Sequence, residues 1–357
     1  MDNTFDDSKI EPAAPEWKVY FEGNFWGHLG RDRAGTEIRL DQQFDWAGHH
    51  WVIPAVYSCG KGLVVDLCMR TEAKDIRRFI VKWNLTAEND SEENFTQEQQ
   101  MQIELENPLG LDFSAQIELN GRTLQSSHGC AVGISPCLPD GAANEKVAQA
   151  AAAHYGLDDS YGWTIYRQSY LWAGKRRPEI KSLSLTMKQQ PCCVPGPHFR
   201  THAPGDSFSF SHPVSGTEYT LTVQKLERQS IPQAQFDSDR WACPTHFTAM
   251  SYTLSPEPDD AISICDCAVG DRPLEIAPCT NRYASEAQND IACTVVIGGA
   301  AGPAGPAGPA VTVFGKNKQG SLHAVCSALH FEPAAEDIEW RVVFHVVSFS
   351  NETFTLI

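Results

Sequence analysis

"LDFSAQIELNGRTLQSSHG", Leu111–Gly129, is the stretch that decides the fold class. Two runs with strand alternation flank Asn120-Gly121. Asn-Gly suits a type I′ turn, because both central residues take positive φ there. The stretch therefore predicts a β-hairpin. Runs of similar make-up surround it, rich in Val, Ile, Trp, Tyr and Phe and broken by Gly, Asp and Pro. Upstream they cover 17–22, 37–44, 50–57 and 62–69. Downstream they cover 164–172, 179–188, 207–212, 218–226, 246–254, 261–268, 291–297, 311–314, 322–329, 339–349 and 353–357. Short strands with a turn signal about every dozen residues point to sandwiches or barrels.

Two stretches break this rhythm. Ile76, Phe79, Ile80 and Trp83 fall at i, i+3, i+4 and i+7, one face of a helix over 71–84 with Thr71 as N-cap. An Ala-rich run predicts a second helix over 144–154, stopped by Gly156. The polar, acidic segment "TAENDSEENFTQEQQ" reads as a solvated loop or a short surface helix. The expected fold is mainly β: two β-sandwich or barrel-like units with one or two short helices. A flexible acidic tail covers 1–15, an N-terminal β domain 16–140, and a C-terminal β domain 141–357 with the Ala-rich helix at its start.

Length and charge narrow the function classes. One hydrophobic core rarely grows past ~250–300 residues, so 357 residues imply two domains. Hydrophobic residues make up 42% of the chain, which excludes a disordered polymer. Acidic residues outnumber basic ones by 45 to 28, for a net charge of −17. Such a chain repels phosphate backbones and anionic lipid surfaces, so neither nucleic acid nor membrane is an expected partner. The one dense basic cluster, Lys175-Arg176-Arg177, reads as a hairpin tip. The opening residues lack a basic n-region and an apolar h-region, which predicts a cytoplasmic protein with its 12 cysteines reduced.

A glycine falls at every third position at Gly299, Gly302, Gly305 and Gly308, with proline after the last three. Pro303, Pro306 and Pro309 would strip a donor from nearly every turn of a membrane helix. Four glycines in register are too few for a collagen rod. The run reads as a Gly/Pro-rich connector over 298–310. "VVIGGAAGPAG" followed by "VTVFGK" resembles the Ile-Gly-Gly-Ala-Asp-Gly-Pro-Thr segment of sodium-translocating decarboxylase β subunits. That family's Asp lies in an ion path, and Ala301 stands at the matching position, so the resemblance carries no transport activity. Similar segments occur in an uncharacterised group of all-β soluble proteins of anaerobic bacteria, and the resemblance implies membership of that group. It covers about twenty residues, Val295–Lys316.

Three constellations hold residues suited to chemistry. In "CCVPGPHFRTH", Cys192, Cys193, His198 and His202 are thiolate and imidazole donors of the kind zinc takes. Adjacent cysteines on a strand point to opposite faces, so both could ligate only from a bent loop. Cys243, His246, Cys265 and Cys267 could donate to the same site. His49 and His50 precede Cys59, a Cys/His pairing that needs contact in space to be catalytic. Trp26, Trp46 and Trp51 could form a sugar-stacking platform, or simply fill a core. Gly-Asp-Ser at 205–207 leads into a strand pattern rather than the helix an esterase nucleophile needs.

The expected function is a non-enzymatic cytoplasmic module that binds or assembles with protein partners, since strand-rich surfaces recruit peptides by edge pairing without a motif. A metal-dependent or Cys/His hydrolase is the alternative, and a carbohydrate-binding sandwich the third reading. No cofactor is expected unless the Cys/His residues converge on zinc. Thiol titration of the denatured, freshly purified chain should account for nearly all 12 cysteines. Several protected pairs would contradict the reducing compartment.

Overall fold

The structure, a computed structural model, describes residues 17–28, 30–85, 95–137, 145–174, 176–232, 241–258, 262–275, 315–317, 320–333 and 337–357. The 298–310 connector and the acidic tail lie outside the described residues. The chain forms two compact units: Met1–Ala87, Asn107–Gln190 and Ser348–Ile357 in the first, Glu88–Glu106 and Pro191–Val347 in the second. This division differs from the expected 16–140 and 141–357. The strand pairing set out below explains the difference.

The first unit holds β1 (Thr36–Trp46), β2 (His49–Ser58), β3 (Gly62–Thr71), α1 (Ala73–Trp83), β4 (Phe113–Leu119), β5 (Arg122–Thr123), β6 (Gln125–Ile134), α3 (Glu145–Tyr155), β7 (Gly162–Leu171), β8 (Leu183–Gln189) and β19 (Glu352–Thr355). One antiparallel sheet runs β1-β2-β3-β7-β6 and a second runs β19-β8-β4-β5. Because β7 pairs with β3 and β6, and β8 with β4 and β19, three strands beyond residue 140 belong to this unit.

The two sheets share a core of Trp46, Trp51, Ile53, Leu67, Ile117 and Leu185, among others. The far face of the five-stranded sheet is covered by α3 and residues 17–25, around Val19, Tyr57, Ala151 and Ile165. Gly62 opens β3 where a Cβ would stand 2.0 Å from the Tyr170 carbonyl oxygen, so no larger residue fits.

The Asn120-Gly121 turn forms as read, with φ of 50° and 77°. Its hairpin is short, however. Only Arg122 and Thr123 pair with β4, and from Gln125 the chain joins β7 in the other sheet. The Arg176-Arg177 stretch is likewise no hairpin tip. It joins β7 to β8, which lie in different sheets. Thr71 does not cap α1. It ends β3 and donates to the Pro108 carbonyl (2.9 Å), while Glu72 holds the N-cap position without a side-chain bond.

A polar network crosses the centre of this unit. Asp66 and Arg167 are direct cross-strand neighbours on β3 and β7. Arg167 donates to Asp66 twice, at 2.8 Å from Nε and 2.6 Å from Nη2. The Tyr155 hydroxyl donates to the same carboxylate at 2.5 Å, and Tyr57 bonds to Tyr155 at 2.7 Å. Trp17 donates to Tyr57 at 3.0 Å. Burial, then the Asp66 charge, hold the Tyr155 phenol far above its ordinary value.

The second unit holds α2 (Gln97–Glu106), β9 (Cys192–Thr201), β10 (Ser207–Ser211), β11 (Glu218–Ser230), β12 (Trp241–Ala242), β13 (His246–Ser255), β14 (Ile262–Asp266), β15 (Leu274–Glu275), β16 (Gly315–Asn317), β17 (Gly320–Cys326) and β18 (Ile338–Val346). A five-stranded sheet runs β10-β11-β13-β17-β16, and a three-stranded sheet runs β14-β18-β9. Both feed one core, in which Phe210, Leu221 and Met250 meet Ile264, Trp340 and Phe344. β12 and β15 form a small separate pair.

Among the described residues there are three helices rather than one or two, and no sheet closes into a barrel. The third helix, α2, starts with a capping box: Gln99 N–H donates to Thr96 Oγ1 (3.2 Å) and Thr96 N–H donates to Gln99 Oε1 (2.8 Å).

Removing one member of a buried ion pair strands the other's charge, at a cost of ~3–5 kcal/mol. Urea unfolding should show Asp66→Ala losing about that much in the first unit's transition. The double change Asp66→Leu with Arg167→Met should recover most of it. A loss below about 1 kcal/mol for Asp66→Ala would show the pair is not what holds β3 to β7.

Candidate functional site

Cys192–Thr201 of "CCVPGPHFRTH" is a strand, not the bent loop that joint ligation by both cysteines would need. Cys192–Thr201 pairs along β18, with a register shift between Arg341 and Val343. Two prolines are tolerated because β9 is an edge strand, where a missing N–H can face outward. Period-two alternation then sorts the three strands of this sheet. Trp340, Val342, Phe344, Ile262, Ile264 and Phe199 enter the core. The opposite face takes His198, Glu339, Arg341, His345, Ser263, Cys265, Cys267 and Cys193.

At one end of that face stands a charge-lined group. His198 Nε2 lies 3.1 Å from Glu98 Oε2, and Nδ1 lies 3.2 Å from Glu339 Oε1. Arg341, opposite both His198 and Cys265, is buried; its Nη2 donates to Gln97 Oε1 at 3.0 Å and its Nη1 lies 3.7 Å from Glu98. Gln97 and Glu98 open α2, so Arg341 and His198 pin the first turn of that helix to the sheet. Burial, partly opposed by Arg341, pushes the Cys267 thiol up to about 11. A cleft of about 530 Å³ borders this end, lined by Arg200, Cys267, Asp271, His330 and Glu339 among others.

At the other end Cys193 sits opposite His345. Cys193 Sγ lies 3.8 Å from His345 Nδ1, and Ser263 Oγ lies 2.8 Å from His345 Nε2. Burial holds the His345 imidazole below its ordinary value.

The four residues read as zinc donors are thereby dispersed. Cys192 and Cys193 face opposite sides of β9. His198 is five residues further along, roughly 15 Å at strand rise, with both ring nitrogens on carboxylates. His202 leaves the strand, and its Nδ1 lies 2.8 Å from Asp337. Among the described residues no group of three or more His, Cys, Asp or Glu could hold a metal ion. Asp206 accepts from the backbone N–H groups of His202 (2.7 Å) and Ala203 (3.1 Å), so it shapes a turn. Ser207 Oγ lies 3.2 Å from Thr222 Oγ1 across the β10–β11 ladder.

His49 and His50 begin β2, and Cys59 follows its last residue. The whole strand lies between them, roughly 30 Å at strand rise. His50 Nδ1 lies 2.9 Å from Asp45, while Cys59 is buried beneath Gly35 with its thiol pushed up to about 11 by burial. The tryptophans do not form a platform either: Trp46 is 2% exposed, Trp51 0% and Trp26 50%. Two of the three are core.

Sequence reasoning passed over His345, Ser263 and Arg341. Their shared parity was readable, since Ser263, Cys265 and Cys267 alternate, as do Glu339, Arg341 and His345. What brings them together is long-range pairing, which no local pattern encodes.

A second feature lies at the sheet edges of the first unit. β1 carries Glu37, Arg39, Asp41 and Asp45 and a register shift between Arg39 and Gln42. β6 at the other edge is ten residues long, mostly exposed, and has no Lys, Arg, Asp, Glu or Pro. Among the described residues no strand pairs with its outer side.

No family model matches the chain, and no curated protein or solved structure matches it. Among the described residues no helix is long and apolar enough to cross a membrane.

The His198 contact sets one measurable carboxylate. Hydrogen bonds from His198, then Arg200, hold Glu339 below its ordinary value of 4.5. This contribution to stability is present above that value and fades as pH falls through the lowered one. NMR titration of His198→Ala should show Glu339 moving back up toward 4.5. An unchanged Glu339 would mean that the imidazole contact does not govern it.

Proposed function

We propose that the chain is a non-enzymatic binding module that takes an extended segment of a protein partner as an added strand on β6. The observation that carries this reading is the edge itself. Long, uncharged, proline-free edges invite strand addition, and folded proteins normally blunt them. The other edges are blunted. β1 is charged and kinked, β9 carries Pro195 and Pro197, and β5, β10, β14, β16 and β19 have five residues or fewer. On β6 every second residue turns its N–H and C=O away from β7. The bulge between Ser126 and His128 leaves His128–Ile134 in regular register.

The side chains narrow the partner's chemistry. Gly129, Ala131 and Gly133 share one face, and a Cβ at Gly133 would meet nothing within 4 Å. Val132 and Ile134 extend the apolar cluster on the other face. A matching segment has apolar residues at alternate positions. The net charge of −17 favours neutral or basic flanks through long-range attraction. A reducing, cytoplasmic setting belongs to the same reading.

Peptides selected from a random library against the full chain should show period-two alternation. They should also shift the amide resonances of β6. Gly133→Lys has room for its side chain, so it should keep the melting temperature. It should weaken these peptides about tenfold or more, the ~1.4 kcal/mol expected of a disturbed edge. Binders that ignore both Gly133→Lys and Ala131→Lys would overturn the proposal.

A further inference from the structure

We infer that Cys193 is a thiol-exchange site of the second unit, with His345 as the proton acceptor and Ser263 as the group that orients it. The inference does not depend on β6. Three side chains from three strands of one sheet meet in a line: Cys193 on β9, His345 on β18 and Ser263 on β14. The thiol lies 3.8 Å from Nδ1, and the hydroxyl 2.8 Å from Nε2. If Nε2 carries the ring proton and donates it to Ser263 Oγ, the Nδ1 lone pair faces the thiol. A nucleophilic thiol needs this order of parts: nucleophile, base, and a third group that fixes the base.

Acyl transfer would further require two N–H donors aimed at a developing oxyanion. Cys193 lies within a paired strand, whose N–H groups serve the ladder or point along the sheet plane rather than toward its face. Exchange with a disulfide has no such requirement. The natural reactant is a low-molecular-weight disulfide, because Cys193 is half-buried on an edge strand and a small reactant can reach it.

The step balances with the low-molecular-weight disulfide as its oxidant. His345 Nδ1 takes the Cys193 proton, and the thiolate attacks the nearer sulfur of the disulfide. The Cys193 S–S bond forms as the reagent's S–S bond breaks. The leaving thiolate takes the proton back from Nδ1 and departs as a thiol. Cys193 is oxidised to a mixed disulfide, and half of the reagent is reduced.

Cys192 supplies an internal control. It is the adjacent residue on the same strand and faces the other side of the sheet. The folded full chain is treated with glutathione disulfide, quenched at intervals and mapped by mass spectrometry. Cys193 should be the first cysteine modified, about a hundredfold ahead of Cys192, the low end of what a positioned base supplies. His345→Gln should remove that lead, while Ser263→Ala should reduce it and leave it measurable. Cys193→Ser should abolish the fastest phase and keep the circular-dichroism spectrum, which guards against a misfolded His345 variant. A fastest phase that survives in Cys193→Ser, or equal rates at Cys192 and Cys193, would overturn the inference.

Discussion

A carboxylate and a guanidinium buried opposite one another on β3 and β7 constrain the first unit more than any other contact. Taking each ion out of water costs several kcal/mol, recovered only with near-ideal geometry. Asp66 and Arg167 meet that demand with two donor contacts, and Tyr155 supplies a third to the same carboxylate. A one-residue slip of β3 against β7 would turn Asp66 to the opposite face from Arg167 and leave both charges buried and unpaired. A two-residue slip would keep the face and separate the pair. The register of the central strands is therefore set by charge, and the apolar residues follow from it. Trp51, Leu67 and Tyr170 fall on the side of the second sheet, and Cys68 and Ile165 on the side of α3.

The second unit solves a related problem differently. Its three-stranded sheet buries one face in an aromatic core and turns a polar face outward. A buried guanidinium there cannot find a carboxylate on a neighbouring strand, because Cys265 and His198 stand opposite it. Arg341 reaches instead to Gln97 and Glu98 of α2. The helix contributes few apolar contacts, with Met101 its one buried residue. Its docking is thus mainly polar, which suits a segment separated by more than eighty residues from β9, the strand it packs on.

What could be read from the sequence was local. The Asn120-Gly121 turn, the α1 periodicity and the Gly156 stop depend on neighbours within a few positions, and each appears where its chemistry predicts. The errors share one cause. The second half of the Asn-Gly hairpin, the Arg176-Arg177 connection and the division of the units all turn on which sheet a strand joins. A strand pattern records which residues face a core, and it does not record whose core. Proline in "CCVPGPHFRTH" does not break the strand, because an edge strand accepts it. The candidate site was less legible still. His345 and Ser263 are each one polar residue in an alternating run, and only pairing through β18 makes them neighbours of Cys193.

The two proposed sites occupy the same topological position, the last strand of a sheet, and differ in what they leave available. On β9, Pro195 and Pro197 remove backbone donors that an added strand would need, so its edge is closed to augmentation. Its side chains still project from the face, and one of them meets an imidazole. On β6 one face carries only glycine or alanine at Gly129, Ala131 and Gly133, so there the backbone is what the edge offers. Residue choice at an edge therefore decides between recognition through the main chain and reactivity through a side chain. A change that opens one should not create the other: proline in β6 would close it to partners without adding a nucleophile. Removing Pro195 and Pro197 would supply backbone donors on β9 and leave the Cys193–His345 geometry to its own cross-strand pairing.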